Sequence, residues 1–403
     1  FTAVSGVGYF VNTTAGAITV TLPASPSAGD VVAVSDYANI FATNNLTLDR
    51  NGSNIAGVAA NSVLVVNGAA VTLVYVDATK GWIVTDSGLQ SDASEAILYV
   101  TATGGTITCS GDYRIHTFTG PGTFCVSCAG NTAGSNTTDY MVVAGGGSGG
   151  GEAPNGFGSG GGGAGGFRES SGTASGSYSA SPLGACVSAL PVSVQGYSIV
   201  VGAGGSQITA PDRVVGNNGN NSSFSSIIST GGGGGGVGPA TCAGSGGSGG
   251  GAFASSPKIG TGNTPPVSPS QGNNGGVGVN SPYAAGGGGG AGAVGETGVR
   301  TPQVGGAGGA GVTTSISASP TAYAGGGGGN VYRQNPAGDT GVGGAGGTGG
   351  GGSGGPGNDN ACAGTANTGG GGGGATTGQG PCYSYNSGAG GSGIVIIRYK
   401  FQN

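Results

Sequence analysis

The chain has 403 residues, of which 102 are glycine, and only 6% of its residues are charged. An average protein contains about 7% glycine and about a quarter charged residues, so an ordinary globular composition is excluded. With only 10 Lys and Arg residues and a net charge of −5, the chain cannot form the basic surface that nucleic-acid binding requires. No apolar stretch approaches the roughly 20 residues that span a bilayer, so membrane insertion is not expected either.

Residues 1–88 are predicted to form a small β-rich module. Short runs of β-branched residues recur here with no helical period between them; residues 17–22 alternate strictly and stop at Pro23. The turn at Asn51-Gly52 has the residues that tolerate positive φ. This pattern is typical of an all-β sandwich or barrel, and Trp82, the only tryptophan, is expected to pack in its core. We expect this module to serve in attachment or oligomerisation.

A polar linker is predicted at residues 89–96, followed by a glycine-rich domain over residues 97–403. Strand patterns occur throughout residues 97–144, and residues 113–118 and 122–126 flank a Gly-Pro-Gly turn that favours a β-hairpin. A last strongly β-prone stretch, residues 394–401, lies at the other end of the domain. The two sets of strands bracket the glycine runs in the sequence.

From Gly145 onward roughly one residue in three is glycine. Collagen requires glycine at every third position, and uninterrupted runs such as residues 231–236 break that period. A flexible spacer would gain nothing from the β-prone stretch at residues 394–401. The glycine runs are better explained as polyglycine-II-like rods, which bond laterally through their backbones when no side chains hold them apart. The polar segments rich in Ser, Thr, Asn and Tyr are then loops that join the rods.

Seven cysteines are present, an odd number, so at least one is unpaired or bonds to another chain. Cys125 and Cys128 have the spacing of a redox or zinc site, but His116 is the only histidine and no second Cys-x-x-Cys exists. No metal or other cofactor is therefore expected. Cys362 and Cys382 are close enough in sequence to close a local loop as a disulfide.

Three stretches carry a resemblance to a known group of proteins. Residues 141–147 open the glycine region, residues 197–205 follow, and residues 390–399 close it. Together they resemble the glycine-rich domain of bacteriophage virion proteins, especially tail-fibre and appendage proteins. Residues 4–86 resemble a small β module of marine-phage fibre proteins. In texture the glycine runs are also similar to the polyglycine-sandwich tip adhesins of T-even-like phages, whose loops bind receptors on the host surface.

The resemblance implies a virion protein on the tail or capsid surface, with other virion proteins as partners and a trimeric state common in phage fibres. As a host-recognition appendage it would bind a surface glycan or an outer-membrane protein. The alternative is a purely structural capsid decoration, head fibre or tail component. Aromatic rings in loops suit recognition because they offer rigid apolar area. The candidate receptor-binding residues are Phe167, Tyr178, Phe253, Tyr283, Tyr323, Tyr332, Tyr383 and Tyr385; rings that only fasten the loops to the glycine core are the alternative explanation.

An enzyme is not expected. Glycan hydrolysis usually needs a pair of carboxylates at a defined separation, and the 15 acidic residues are scattered without such a pair. His116 has no accompanying nucleophile motif. An ice-binding protein would show regular tripeptide repeats, which this sequence lacks.

Overall fold

A computed structural model describes residues 1–86, 94–151, 157–174, 178–280, 283–332, 341–355, 360–375 and 385–402. Its regular elements are β-strands apart from single turns of 3₁₀ helix such as Pro182–Gly184, which confirms the predicted all-β class. No helix in the described part of the chain is long and apolar enough to cross a membrane. The chain divides into two compact units: residues 1–98 with 131–133, and residues 99–130 with 134–403.

The described residues of the first unit form eight strands in two four-stranded sheets. They are β1 (Val7–Val11), β2 (Ile18–Thr21), β3 (Val31–Asp36), β4 (Leu46–Asp49), β5 (Ser62–Leu64), β6 (Ala70–Tyr75), β7 (Trp82–Asp86) and β8 (Ser94–Glu95). One sheet has the order β1-β3-β6-β7 and the other β2-β4-β5-β8. The chain crosses from one sheet to the other after β1, β2 and β3. The β1–β3 and β2–β4 pairs are therefore parallel.

Alternating burial explains why these short runs form a sandwich. Along β3 every second residue is buried, and one core cluster collects side chains from both sheets. Trp82 is fully buried in this cluster, edge-on to Tyr75 at 5.6 Å between ring centroids, as the sequence predicts. The predicted linker contributes β8, which pairs with β5, while residues 87–93 lie outside the described part of the chain.

The part of the second unit that the structure describes forms thirteen strands. They are β9 (Val100–Thr103), β10 (Thr106–Ser110), β11 (Tyr113–Phe118), β12 (Gly122–Ala129), β13 (Thr137–Val143), β14 (Phe167–Glu169), β15 (Leu190–Pro191), β16 (Gly196–Val200), β17 (Ser222–Phe224), β18 (Ile227–Ser229), β19 (Val312–Thr314), β20 (Thr321–Tyr323) and β21 (Ile394–Lys400). A six-stranded sheet has the order β10-β11-β21-β13-β14 with β15 also paired to β13; a five-stranded sheet has the order β18-β17-β16-β12-β9. Strands β19 and β20 form a separate hairpin.

The central strands β13 and β21 of the six-stranded sheet are buried on both faces. Along β21, Val395, Ile397 and Tyr399 face the five-stranded sheet, whereas Ile394 and Ile396 face the glycine-rich part and the β19–β20 hairpin. A strand covered on both faces needs apolar residues at successive positions, which accounts for the unbroken apolar run that the sequence shows here.

The predicted hairpin of β11 and β12 does not form. Strand β11 pairs with β10 and β21 in the six-stranded sheet, while β12 pairs with β16 and β9 in the five-stranded sheet. The turn between them carries the chain across the sandwich, so that Phe118 and Phe124 both enter the same core. Burial of these two rings outweighs the local preference of the turn for pairing its neighbours.

The glycine runs form extended segments whose backbone bonds run mainly to neighbouring segments. In the central segment, residues 158–166, backbone N–H groups donate in strict rotation to three neighbouring segments, and its carbonyls accept from three more. The bond lengths are 2.7–3.2 Å. The six neighbours are residues 369–375, 230–236, 286–289, 144–150, 248–251 and 327–330. A three-residue period without bonds inside the segment is the geometry of polyglycine II.

The lateral packing leaves no room for side chains. A Cβ added at any of residues 160–163 would come closer than 3.0 Å to a backbone carbonyl of a neighbouring segment, a separation that real Cβ atoms essentially never show. Alanine is accepted at Ala164 because that position faces the apolar cluster under the six-stranded sheet. Backbone bonds between segments, rather than buried side chains, thus hold most of this region together, as predicted.

Candidate binding surface

The glycine segments alternate in direction, which gives the second unit a sheet end and a far end. Residues 144–151 continue from β13 away from the sheet, and residues 158–166 return antiparallel to them and enter β14. At about 3.1 Å per residue, the nine residues of the central segment span about 28 Å. We call the end at Gly151 and Phe157, opposite the sheets, the far end.

Many connections between segments meet at the far end. Residues 209–213 lie there, since Gly151 N donates to Val214 O at 3.1 Å. The bonds made by their flanking residues place three more connections at the far end: residues 238–242, 253–257 and 299–303. The far end also contains the described residues on either side of five stretches that the structure does not describe: 152–156, 281–282, 333–340, 356–359 and 376–384.

Four aromatic rings gather at the far end. Phe157 contacts Tyr283 at 4.3 Å, Tyr332 at 4.8 Å and Phe253 at 5.9 Å between ring centroids. Each ring lies where one of four adjacent glycine segments starts or stops, so the lattice itself brings them together. Phe253 is 2% exposed and forms the floor, while the other three rings are half-buried. We refer to Phe157, Phe253, Tyr283 and Tyr332 as the far-end aromatic cluster.

Gln303 fixes the geometry of this cluster. Its side-chain Nε2 donates to the carbonyl oxygens of Tyr283 at 2.9 Å and Tyr332 at 3.0 Å. Three chain segments are thereby joined through one amide, and the backbone bridge between Val304 and Val342 joins a fourth. These bonds hold the backbones of the two tyrosines, and their rings pack against Phe157, so the rings can offer apolar area with little loss of conformational entropy on binding.

Three of the predicted receptor-binding residues, Phe253, Tyr283 and Tyr332, therefore lie in the far-end aromatic cluster, with Phe253 as its buried floor. Phe157 and Gln303 were missed by the sequence reasoning. The position of Phe157 directly before the glycine run 158–166 is a signal that could have found it, because a rod must end beside its neighbours' ends. Gln303 gives no such signal.

The other predicted aromatic residues have different positions. Phe167 and Tyr323 do not lie in exposed loops: they belong to β14, an edge strand of the six-stranded sheet, and to β20, and both rings are buried in the core on the glycine-rich side of that sheet. These two rings fasten the chain to its core. Half-buried Tyr178 packs over Arg398 at the sheet end, 5.4 Å from its guanidinium carbon. Tyr385 is half-buried at the far end, and Tyr383 lies outside the described residues.

Among the described residues, the charged side chains near the far end are exposed. They are Asp212, Arg213, Lys258 and Arg300, and Lys258 Nζ donates to the Ala240 carbonyl at 2.9 Å. Both signs of charge are therefore present around the half-buried rings in the described part of this end.

The sheets enclose buried titratable groups. His116 is fully buried, with Nδ1 at 2.7 Å from the Gly104 carbonyl and Nε2 at 3.0 Å from the Tyr399 hydroxyl. Burial lowers the pKa of His116, and nearby Arg114 adds to the effect, while the bond to Gly104 opposes it. Both ring nitrogens are thus occupied by structural contacts, and neither points to a nucleophile.

A buried carboxylate, Glu169, links three segments. It accepts bonds from the Ser181 backbone N–H at 2.8 Å and from the Thr314 hydroxyl. Burial raises the pKa of Glu169, partly offset by these donors. Asp139 lies opposite Arg398 in the β13–β21 register and accepts a bond from the Ser170 hydroxyl at 2.7 Å. These contacts join the sheet to its covering segments.

The cysteines do not assemble a metal site among the described residues, where no group of three or more His, Cys, Asp or Glu is close enough. Cys125 is exposed and Cys128 half-buried, both as free thiols. Cys362 is an exposed free thiol. Its predicted partner, Cys382, lies outside the described residues, so that disulfide stays a prediction.

The fold and the far-end surface define a class of protein in which laterally bonded glycine segments are bracketed by β-sheets. Residues 119–400 match the family model described as a glycine-rich domain. The chain therefore belongs to the glycine-rich domain family. No curated protein matches it.

Proposed function

We propose that the protein is a non-enzymatic bacteriophage virion component, a tail-fibre or appendage protein that presents the far end of its glycine domain to the host surface. The observation that carries the proposal is the far-end aromatic cluster, where three half-buried rings lie on a buried fourth at the tips of rigid segments. The ligand would be a surface glycan or the exposed part of an outer-membrane protein.

Rigidity of the support favours display. Each glycine segment is bonded to its neighbours along its whole length, so a residue at its tip has little freedom to move. A binding surface held in place in this way loses little entropy when it meets its ligand.

The cluster has the composition that uncharged glycans require. Sugars stack their apolar faces on aromatic rings and bond their hydroxyl groups to nearby amides and carbonyls. Tyr283 and Tyr332 provide ring faces and hydroxyl groups, while Gln303 is engaged in holding them. We assign the recognition role to the two tyrosines and the positioning role to Gln303.

The first unit is proposed as the attachment module that contacts other virion proteins. Several large apolar side chains are exposed on it, including Phe10 at 79% and Tyr37 at 67%. Such exposure is typical of surfaces that are covered in an assembly.

The test uses the purified full chain on an array of bacterial surface polysaccharides and on intact bacterial cells. Tyr283→Ala and Tyr332→Ala are expected to weaken binding at least tenfold, whereas Tyr37→Ala, which removes an exposed tyrosine from the first unit, should leave it unchanged. Thermal unfolding of each variant controls for misfolding. Equal binding by all four proteins would contradict the proposed site.

Location on the particle separates display from a purely structural role. Antibodies against the chain, imaged by electron microscopy on the intact particle, should decorate a tail fibre or other appendage. Decoration of the capsid, together with no binding to cells or polysaccharides, would support the structural alternative and refute host recognition.

A further inference from the structure

Strand β10 forms an open edge of the six-stranded sheet. It pairs with β11 on one side, and no strand of the described chain pairs with its other side. Four of its five residues are exposed and the fifth, Ser110, is half-buried. An edge of this kind presents unpaired N–H and C=O groups that can bind another strand.

The usual protections against edge pairing are missing from β10. Its sequence, Thr-Ile-Thr-Cys-Ser, has no charged residue, no proline and no bulge, and three of its residues are β-branched. The opposite edge of the same sheet, β14, is shorter and carries Arg168 and Glu169. Charged residues on β14 thus oppose strand pairing at one edge, whereas β10 at the other edge is suited to it.

The direction of the backbone groups follows from the turn between β10 and β11. Only Gly111 and Asp112 separate the strands, and φ of +56° at Gly111 fits a two-residue hairpin turn. In such a turn Ser110 and Tyr113 form two backbone hydrogen bonds with each other. Along the β10–β11 ladder, hydrogen-bonded residue pairs then alternate with pairs that are not hydrogen-bonded. The N–H and C=O groups of Ile107 and Cys109 consequently point outward.

The neighbouring strand pair agrees with this assignment. Phe401 N donates to Asp112 O at 3.0 Å, so the even-numbered residues of β11 direct their backbone groups toward β21. The odd-numbered residues of β11 must then bond to β10, which leaves the groups of Ile107 and Cys109 on the free edge.

From this arrangement we infer that β10 pairs antiparallel with β10 of a second copy of the chain, around a two-fold axis at Thr108. The outward groups lie one residue to either side of Thr108, so Ile107 of each copy meets Cys109 of the other. Four backbone bonds form, and the six-stranded sheet continues from one copy into the next. The 43% exposed side chain of Ile107 would be covered by the partner strand.

The symmetry of the pattern favours a second copy over an unrelated peptide. An identical strand satisfies all four outward groups in one register, as an isologous two-fold contact requires. Neither strand has a charge to repel the other. A ladder of five-residue strands falls in the size class of transient interfaces, so association should rise with protein concentration rather than be permanent.

Charge variants at Thr108 test both the edge and the register. In the inferred dimer the two Thr108 side chains lie directly opposite, where like charges repel and opposite charges attract. Thr108 is exposed, so Thr108→Lys and Thr108→Glu should fold normally. Sedimentation of the full chain under reducing conditions should show concentration-dependent association for the wild type, none for either variant alone, and its return in an equimolar mixture of the two.

A matched control and a second readout complete the test. Thr103→Lys changes an exposed threonine on β9, an edge strand of the other sheet, and should sediment like the wild type. Amide exchange at Ile107 and Cys109 should slow as concentration rises, while exchange at Thr106 stays constant. A wild-type chain that remains monomeric, association unaffected by either Thr108 variant, or a mixture that fails to associate would each overturn the inference.

Discussion

Substitution of a single glycine inside the lattice tests whether backbone packing holds the second unit together. In Gly162→Ala the new Cβ would lie 2.7 Å from the Ser148 carbonyl oxygen and closer still to that of Gly147. Ordinary contact begins at 3.4 Å, so the central segment and residues 144–151 must move apart by most of an ångström. Separation of this size exceeds what a backbone hydrogen bond tolerates.

The expected cost follows from the bonds between these two segments. Gly147 donates to Gly163, Gly150 to Gly160 and Ala144 to Gly166, at 2.9–3.0 Å. Three bonds at about 1 kcal/mol each, with part of the 1–3 kcal/mol penalty for buried groups left unpaired, give a loss of about 3–5 kcal/mol. For a unit of this size, that loss corresponds to a fall in the melting temperature of about 5–8 °C.

The assay is thermal unfolding followed by calorimetry, with Gly120→Ala as the matched control. Gly120 has nothing within 4 Å of its added Cβ and does not have positive φ. Alanine there should be neutral or stabilise by about 0.4–1 kcal/mol, because it restricts the unfolded chain. If the two variants unfold within about 0.5 kcal/mol of each other, the idea that side-chain exclusion explains the glycine is wrong.

Three further predictions concern a buried histidine, a buried amide side chain and the predicted disulfide. The folded-state pKa of His116 is lowered from 6.5, so below that pH the unfolded chain binds more protons than the folded chain. The stability difference between wild type and His116→Gln, measured by denaturant unfolding, should therefore shrink as pH falls from about 6.5 toward about 5. Asn330→Ala should cost about 1–3 kcal/mol, since the buried side chain donates to the Gly374 carbonyl at 3.0 Å; an unchanged unfolding midpoint would contradict this. Peptide mapping without reduction should recover a linked peptide containing Cys362 and Cys382, and two singly alkylated peptides would exclude the disulfide.

The sequence predicts the first unit better than the strand pairing of the second. In the first unit, the alternation along residues 17–22 reflects burial of one sheet face, a local property that the residue order records directly. In the second unit the hairpin prediction for β11 and β12 is wrong, because both strands bury large rings in a core shared with β21, about 270 residues further along the chain. Long-range burial of this kind leaves no local signal.

For the candidate site, the sequence places Tyr283 and Tyr332 between glycine runs but cannot tell them from Phe167 and Tyr323, which interrupt the glycine in a similar way. The structure separates them. Tyr283 and Tyr332 lie at the tips of segments, whereas Phe167 and Tyr323 lie in strands with their rings buried in the core. Whether a ring marks a surface or a core depends on the end of the lattice at which its segment stops. That depends on the direction of each segment, which composition does not encode.

By itself, the sequence determined that this protein is all-β and that its glycine must pack backbone against backbone. Glycine runs without a collagen period, bounded by β-prone stretches, leave little else that satisfies the peptide groups. The tertiary structure alone decided which six segments surround residues 158–166 and which connections meet at the far end. The physical reason is that all glycine segments are chemically alike, so only the bonds between whole segments distinguish one neighbour from another.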